Sequence, residues 1–389
     1  MSLVNPVAIS LSRTFNDFVE SGKTGGLLLL ICTCASVLAA NSPWGAEYKA
    51  FWQSSVAGLS LEHWINDGLM AIFFLFIGLE LERELYSGEL ARLRNALLPV
   101  VAAIGGVCLP AAIYFALNQG TSTLAGIGIP MATDIAFALA ALALLGNRVP
   151  PALKVFLVAL AVIDDLVAII IIAAFYTVEL SATYFMAALA VLAILVLLNR
   201  ALRVMSLAPY LIGGALMWFF MFRSGVHATI AGVLLAFAIP FSAKAEDEKS
   251  PSYRMEHFLH KPVALLILPV FALANTGIVI APGWQHELLS LSSLGIITGL
   301  IIGKPLGITL ASYAAIVTGL SRLPEGVSWR GILGAGLLGG IGFTMSIFIA
   351  NLAFAGRHDL INASIMAILV ASLVSAAVGI LWLRVADAR

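Results

Sequence analysis

Charge is what this chain has least of. Only 11% of its 389 residues are Asp, Glu, Lys or Arg, where a soluble domain carries about 25%, and 61% are hydrophobic against roughly 45–50%. That shortage excludes a soluble globule. Neither sign is in excess, with 21 basic residues against 21 acidic, so no basic face offers itself to nucleic acid and no such partner is expected. Cysteine is nearly missing too. Cys32, Cys34 and Cys108 lie in apolar stretches with no His or Cys cluster at metal-ligand spacing, which argues against a disulfide framework or a zinc site. A cleavable signal peptide is not expected, because Arg13, Asp17, Glu20 and Lys23 occupy the start without a short apolar core and small-residue cleavage site. Long polar stretches are also scarce. The longest connection, residues 241–257 with Glu246 to Lys249, reads as a mobile cytoplasmic linker, too short for a soluble domain that could carry an enzyme.

What is present is apolar sequence in span-sized pieces. Segments near 25–41, 63–84, 95–117, 124–145, 151–176, 182–199, 206–222, 224–240, 258–280, 289–318, 331–354 and 360–384 predict an all-α polytopic membrane protein of twelve transmembrane helices, one membrane domain over 1–389. Strand alternation is absent, and an apolar run in lipid can satisfy its own backbone only as a helix. Residues 1–24 form a cytoplasmic N-terminal segment in which Val4, Val7, Leu11, Phe15 and Phe18 recur at helical spacing, as in a short helix on the membrane surface. With that end inside, seventeen of the 21 cations fall on the cytoplasmic side. Lys49, Arg223 and Arg357 fall outside and Lys304 within the membrane, so both termini are expected in the cytoplasm.

A repeat is visible when residues 126–136 are laid on 340–350, an offset of 214 with six identities in eleven positions, including Gly126-Ile127-Gly128 on Gly340-Ile341-Gly342. The copies fall in the fourth and eleventh spans, which run in opposite directions. This predicts inverted-topology repeats, spans 3–5 (95–176) and 10–12 (289–384). Pro130 lacks an N–H and its ring collides with the carbonyl of Gly126, so the fourth helix is expected to break there; Gly336, Gly339, Gly340 and Gly342 predict a break in the eleventh.

The few charges within spans sit at one depth. Asp164 and Asp165 lie at the centre of the fifth span, Lys304 at the centre of the tenth and Asp134 at the centre of the broken fourth. Each costs roughly 2.5–3.5 kcal/mol on insertion scales, too much to carry without use. Successive helix positions are about 100° apart, so the two aspartates flank a shared cavity. Such a pair holds either protons or a small hard cation such as sodium or lithium, and mutually exclusive occupancy exchanges one for the other. No bound cofactor is expected.

The runs Ala132-Thr133-Asp134-Ile135-Ala136-Phe137-Ala138, Ile163-Asp164-Asp165-Leu166, Gly303-Lys304-Pro305-Leu306-Gly307 and Gly340-Ile341-Gly342-Phe343-Thr344-Met345-Ser346 resemble the bacterial NhaA-type sodium/proton antiporters over nearly the whole chain. The resemblance implies electrogenic extrusion of sodium or lithium for protons across the bacterial cell inner membrane. It implies that Asp165 is the main cation ligand, that Asp164 beside it exchanges protons and pairs with Lys304, and that Thr133 contributes an oxygen. Asp134 would offset the positive ends of the broken helices and Lys304 the negative ends. It further implies pH regulation through Glu80, Arg83, Glu84, Arg254, Glu256 and His257 at a cytoplasmic rim, with His227 elsewhere. A homodimer is also implied, although the first outer loop, about Ser42 to Glu62, is short.

Other functions fit less well. An intramembrane aspartyl protease needs glycine-x-glycine-aspartate, but Asp134 comes six residues after Gly128; Ser224 near His227 has no oxyanion framework. A passive cation channel also lines its path with acids, but symmetric subunits suit it better than an inverted repeat in one chain.

Overall fold

The computed structural model describes residues 13–86, 88–91, 93–176, 180–242, 250–280 and 282–386, without the side chains of 13–23, 89, 93–95, 147 and 386. Helix α1 (Arg13–Ala40) is continuous, so residues 13–24 run straight into the first span; Val4, Val7 and Leu11 lie outside the described residues. After a 114° bend come α2 (Gly45–Gln53) and a two-rung hairpin pairing Ser55 with Ser60 and Val56 with Leu59. Ala57 and Gly58 turn it with φ of +53° and +86°, the doubly positive geometry that matches strand twist.

Then follow α3 (Leu61–Tyr86), α4 (Leu93–Asn118), a 3₁₀ run (Leu124–Met131), α5 (Ile135–Leu145) and α6 (Pro151–Phe175). The next four are α7 (Ala182–Arg200), α8 (Ala208–Ser224), α9 (Ile230–Ala238) and α10 (Pro251–Asn275). The last are α11 (Trp284–Leu288), α12 (Leu291–Val317), α13 (Trp329–Gly339), α14 (Phe343–Ala353) and α15 (His358–Ala386). Eight of these segments are long and apolar enough to cross a membrane, or ten with each bent pair taken as one. The chain is a multi-pass membrane protein.

Burial separates the helices. Along α6 nearly every side chain from Phe156 to Asp165 is buried, whereas α7 exposes Met186, Ile194 and Leu197, a surface that lipid satisfies and water would not. Helices α4 and α12 pack backbone against backbone. A Cβ on Gly105 would stand 2.3 Å from the Gly307 carbonyl oxygen, and one on Gly307 2.1 Å from that of Gly105, so both positions require glycine for backbone contact. That contact fixes the depth and rotation of the helix that carries Lys304.

Three π turns interrupt the long helices, at Trp64–Leu69 in α3, Val263–Ile267 in α10 and Gly299–Gly303 in α12. The last has a visible cause. Pro305 has no N–H for the carbonyl four residues back, and the Lys304 N–H reaches five back to Gly299 instead.

Three sequence expectations shift. The eighth segment, expected over 224–240, is helical only over Ile230–Ala238, because Gly225 in a left-handed conformation ends α8 and Ile239-Pro240 ends α9. Residues 251–257 of the expected linker already belong to α10, and 243–249 lie outside the described residues. The break in the fourth segment is not at Pro130: the chain is extended from Ala132 to Asp134, six residues beyond Gly126–Gly128, while the eleventh opens at Gly340–Gly342 with a 45° bend. The glycine run forms a 3₁₀ helix, and its glycines lie hard against neighbours, Gly126 under Tyr114 and Phe354 and Gly128 under Tyr176 and Ile349, where a side chain would clash.

On the face where α1 ends and α15 begins lies a cavity of about 370 Å³, lined by Tyr48, Glu62, His63, Asn66, Asn275, Asn351 and His358 among others. Beneath it Phe348 packs against Phe74 and Phe271, with ring centroids 5.5 and 6.4 Å apart, and all three rings are buried.

Candidate functional site

The two interrupted segments meet mid-protein. The Asp134 N–H donates to the Ile341 carbonyl at 2.6 Å, joining the extended stretch before α5 to the gap between α13 and α14. The Asp134 carboxylate accepts from the Phe137 N–H at the start of α5 (3.0 Å) and from the Thr344 N–H (3.0 Å) and hydroxyl at the start of α14. One acid therefore caps two helices, placing negative charge where both present unpaired N–H groups. The Ser346 hydroxyl crosses the other way to the Ile129 carbonyl, 2.7 Å.

Lys304 stands at the opposite pole. Its ammonium, fully buried after the π turn, lies 2.7 Å from Asp164 Oδ2 and donates to the Met131 carbonyl at the free C-terminal end of the 3₁₀ run. Thr133 Oγ1 is 2.6 Å from the same Asp164 oxygen and 2.8 Å from the Gly339 carbonyl; its single proton serves one of them at a time. The other Asp164 oxygen and both oxygens of Asp165 are buried and have no hydrogen-bond partner among the described residues. The charges that act on Asp165 are those of Asp164, Asp134, Glu80 and Lys304. A wholly buried carboxylate without a donor is costly to keep as a bare anion. The arrangement therefore suits an occupant that arrives with positive charge, a proton or a small cation facing carboxylate, hydroxyl and carbonyl oxygens.

Thr133, Asp134, Asp164, Asp165 and Lys304 thus come together. Of the proposed rim, Arg83 gathers Glu80 (3.9 Å), Glu84 (3.3 Å) and Glu256 (2.8 Å), tying α3 to α10. Arg254 and His257 are not in that cluster: both are exposed, and His257 stacks on Tyr253 one turn back. His227 lies apart, in the connection between α8 and α9. Burial pushes its imidazole below the usual histidine range, opposed by the Tyr176 carbonyl and Asp67; Nε2 lies 2.9 Å from that carbonyl, which can only accept, so Nε2 carries the proton. Ser224 is no nucleophile, since its hydroxyl donates to the Met221 carbonyl and accepts from the Val226 N–H at the end of α8.

Three contributors escaped the sequence reading. Thr344 and Ser346 fall within the Gly340–Ser346 run, and hydroxyls just past a broken helix are candidates to hold the other segment of the crossing. Glu82, buried and accepting from the Ser252 hydroxyl at 3.1 Å, adds a second α3–α10 contact.

Comparison with known proteins gives this geometry its relatives. The "Na(+)/H(+) antiporter NhaA" of Dechloromonas aromatica is 66% identical over 373 residues, 96% of each chain, and "NhaA 1" of Flavobacterium johnsoniae is 56% identical over 376 residues, 97% of this chain and 98% of that one. The solved sodium proton antiporter MjNhaP1 of Methanocaldococcus jannaschii covers 96% of this chain and 98% of its own at 14% identity, with a TM-score of 0.56, and so shares the fold. The profile of the family described as Na+/H+ antiporter 1 matches residues 16–383, and with relatives this similar along nearly their whole length, this chain belongs to that family of transporters.

Proposed function

We propose that this protein is an electrogenic sodium or lithium/proton antiporter that extrudes cytoplasmic sodium for external protons, working by alternating access at Asp164 and Asp165. The observation that carries the reading is a fully buried Asp165 with no hydrogen-bond partner among the described residues, next to an Asp164 held by Lys304 and Thr133. Family membership supports the exchanged pair, since the relatives are named Na+/H+ antiporters. An arriving sodium ion takes the free oxygens of Asp165 and Asp164 and draws Asp164 away from Lys304; Thr133 turns its lone pairs to the ion while its proton stays on the Gly339 carbonyl. Protons displaced from the site leave on the side from which the ion came. After the site turns outward the order reverses. If two protons replace one monovalent ion, each cycle moves one net charge and the membrane voltage drives it. Asp134 and Lys304 balance the free helix ends throughout.

Twelve crossings, the ten long segments together with α8 and the short α9, are the topology that fits this cycle; an even number leaves both termini on one side, and the seventeen inward cations support the cytoplasm of a bacterial inner membrane as that side. The Arg83 cluster then lies at the cytoplasmic face and the 370 Å³ cavity at the outer face. The purified protein in vesicles bearing a pH gradient should release protons when sodium is added, and a gradient that sodium leaves unmoved would refute antiport. In the same assay, Glu256→Gln should displace the pH profile of exchange by weakening the Arg83 cluster while its maximum persists. Superimposable profiles would remove these residues from regulation.

A further inference from the structure

At the floor of the cavity on the face where α1 ends and α15 begins, three side-chain amides from three segments are bonded in series. Asn275 Nδ2 donates to Asn66 Oδ1 at 2.8 Å, and Asn351 Nδ2 donates to Asn275 Oδ1 at 2.6 Å. Asn66 stands in the π turn of α3, Asn275 is the last residue of α10 and Asn351 lies near the end of α14. All three line the cavity. Each helix carries one of the packed phenylalanines farther in: Phe271 one turn below Asn275, Phe348 one turn below Asn351, and Phe74 two turns below Asn66. Two further turns along α14 from Asn351 is Thr344, which holds Asp134.

We propose that the Asn66–Asn275–Asn351 chain is a latch that keeps the outer end of the transport path shut, so that the site can open outward only when these amide bonds part. Four arguments converge on it. The amides span the elements that enclose the cavity floor, so separating any one of them widens it. Asparagine is a poor residue for apolar helices unless its amide is paired, and here the pairing runs between helices, with Asn275 also satisfying the Phe271 carbonyl of its own turn (2.9 Å). Water entering the cavity can replace both inter-helix bonds, so the latch opens at small cost where an all-apolar seal would have to expose hydrocarbon. Asn351 also rides on the helix whose first turn holds the crossing of the broken segments, so release of the amide frees the element that borders the ion site.

The inference rests on the antiport reading, and its test separates the two. In a two-state cycle the apparent affinity at each face scales with the fraction of protein open to that face, so the ratio of the outer to the inner KM for sodium reports the closed-to-open balance directly. Losing one inter-helix bond should lower that ratio roughly fivefold, and losing two roughly twentyfold. Sodium KM is to be measured from each face in oriented vesicles for wild type, Asn351→Ala (one bond lost) and Asn275→Ala (two). The expected result is a graded fall in the ratio with the larger change in Asn275→Ala. A defect in folding alone lowers the amount of active protein and leaves the ratio where it was. Should Asn275→Ala not fold, Asn351→Ala alone decides, because its expected shift is already resolvable. Ratios equal to wild type in the recovered variants would overturn the latch while leaving antiport standing, whereas a wild type that moves no protons for sodium would overturn both.

Discussion

Replacing Asp165 by asparagine is expected to reduce sodium-driven proton movement to the background of empty vesicles, with lithium behaving alike. The side chain keeps its size, so the fold should survive and the protein should elute as wild type. What vanishes is a buried carboxylate that no hydrogen-bond donor engages among the described residues. A unit charge about 4 Å from a monovalent ion contributes roughly 4 kcal/mol at an effective dielectric of about 20. That is a loss of about a thousandfold in ion affinity before closer coordination is counted. The amide also cannot carry the exchanged proton, so binding and return fail together. Residual exchange above a few per cent of wild type would transfer the role to Asp164.

The second large effect concerns stability. Lys304→Met should lower the melting temperature in detergent by several degrees, because it leaves Asp164 buried with only the Thr133 hydroxyl and strips the Met131 carbonyl of its ammonium donor. Removing one partner of a buried pair typically costs about 3–5 kcal/mol, while removing both with apolar or neutral groups of similar volume costs much less. The double variant Asp164→Asn/Lys304→Met should therefore melt close to wild type and still fail to exchange. That split, stability restored and function lost, distinguishes a pair that also serves transport from one that only holds the fold. A single variant melting with wild type would mean that the 2.7 Å pairing contributes nothing to stability.

The centre of the site was legible because charge is so scarce. In an ordinary domain Asp134, Asp164, Asp165 and Lys304 would be lost among surface residues; here their depth within apolar runs sets them apart. The breaks were less legible. Glycine and proline mark where a helix is weak, but the fourth segment opens where Asp134 finds two N-termini to cap, six residues past the glycines, and that partner lies 210 positions along the chain. Helical geometry explains why only part of the rim gathers at Arg83. Glu256 faces Arg83, and His257, one residue and about 100° farther round, faces out. The amide chain was unreadable for another reason: three single asparagines in three distant segments carry no pattern until packing brings them together.

The crossing of the interrupted segments has a mechanical corollary. Asp134 to Ile341, Thr344 to Asp134 through both backbone and hydroxyl, Ser346 to Ile129 and Thr133 to Gly339 stitch α5, α13, α14 and the 3₁₀ run into one strut. Pulling one interrupted segment past the other would shear all of these bonds at once. The strut must therefore tilt or stay put as a unit, and the bending has to be taken up by the joints around it, the π turns of α3, α10 and α12, where the helical winding is already slack.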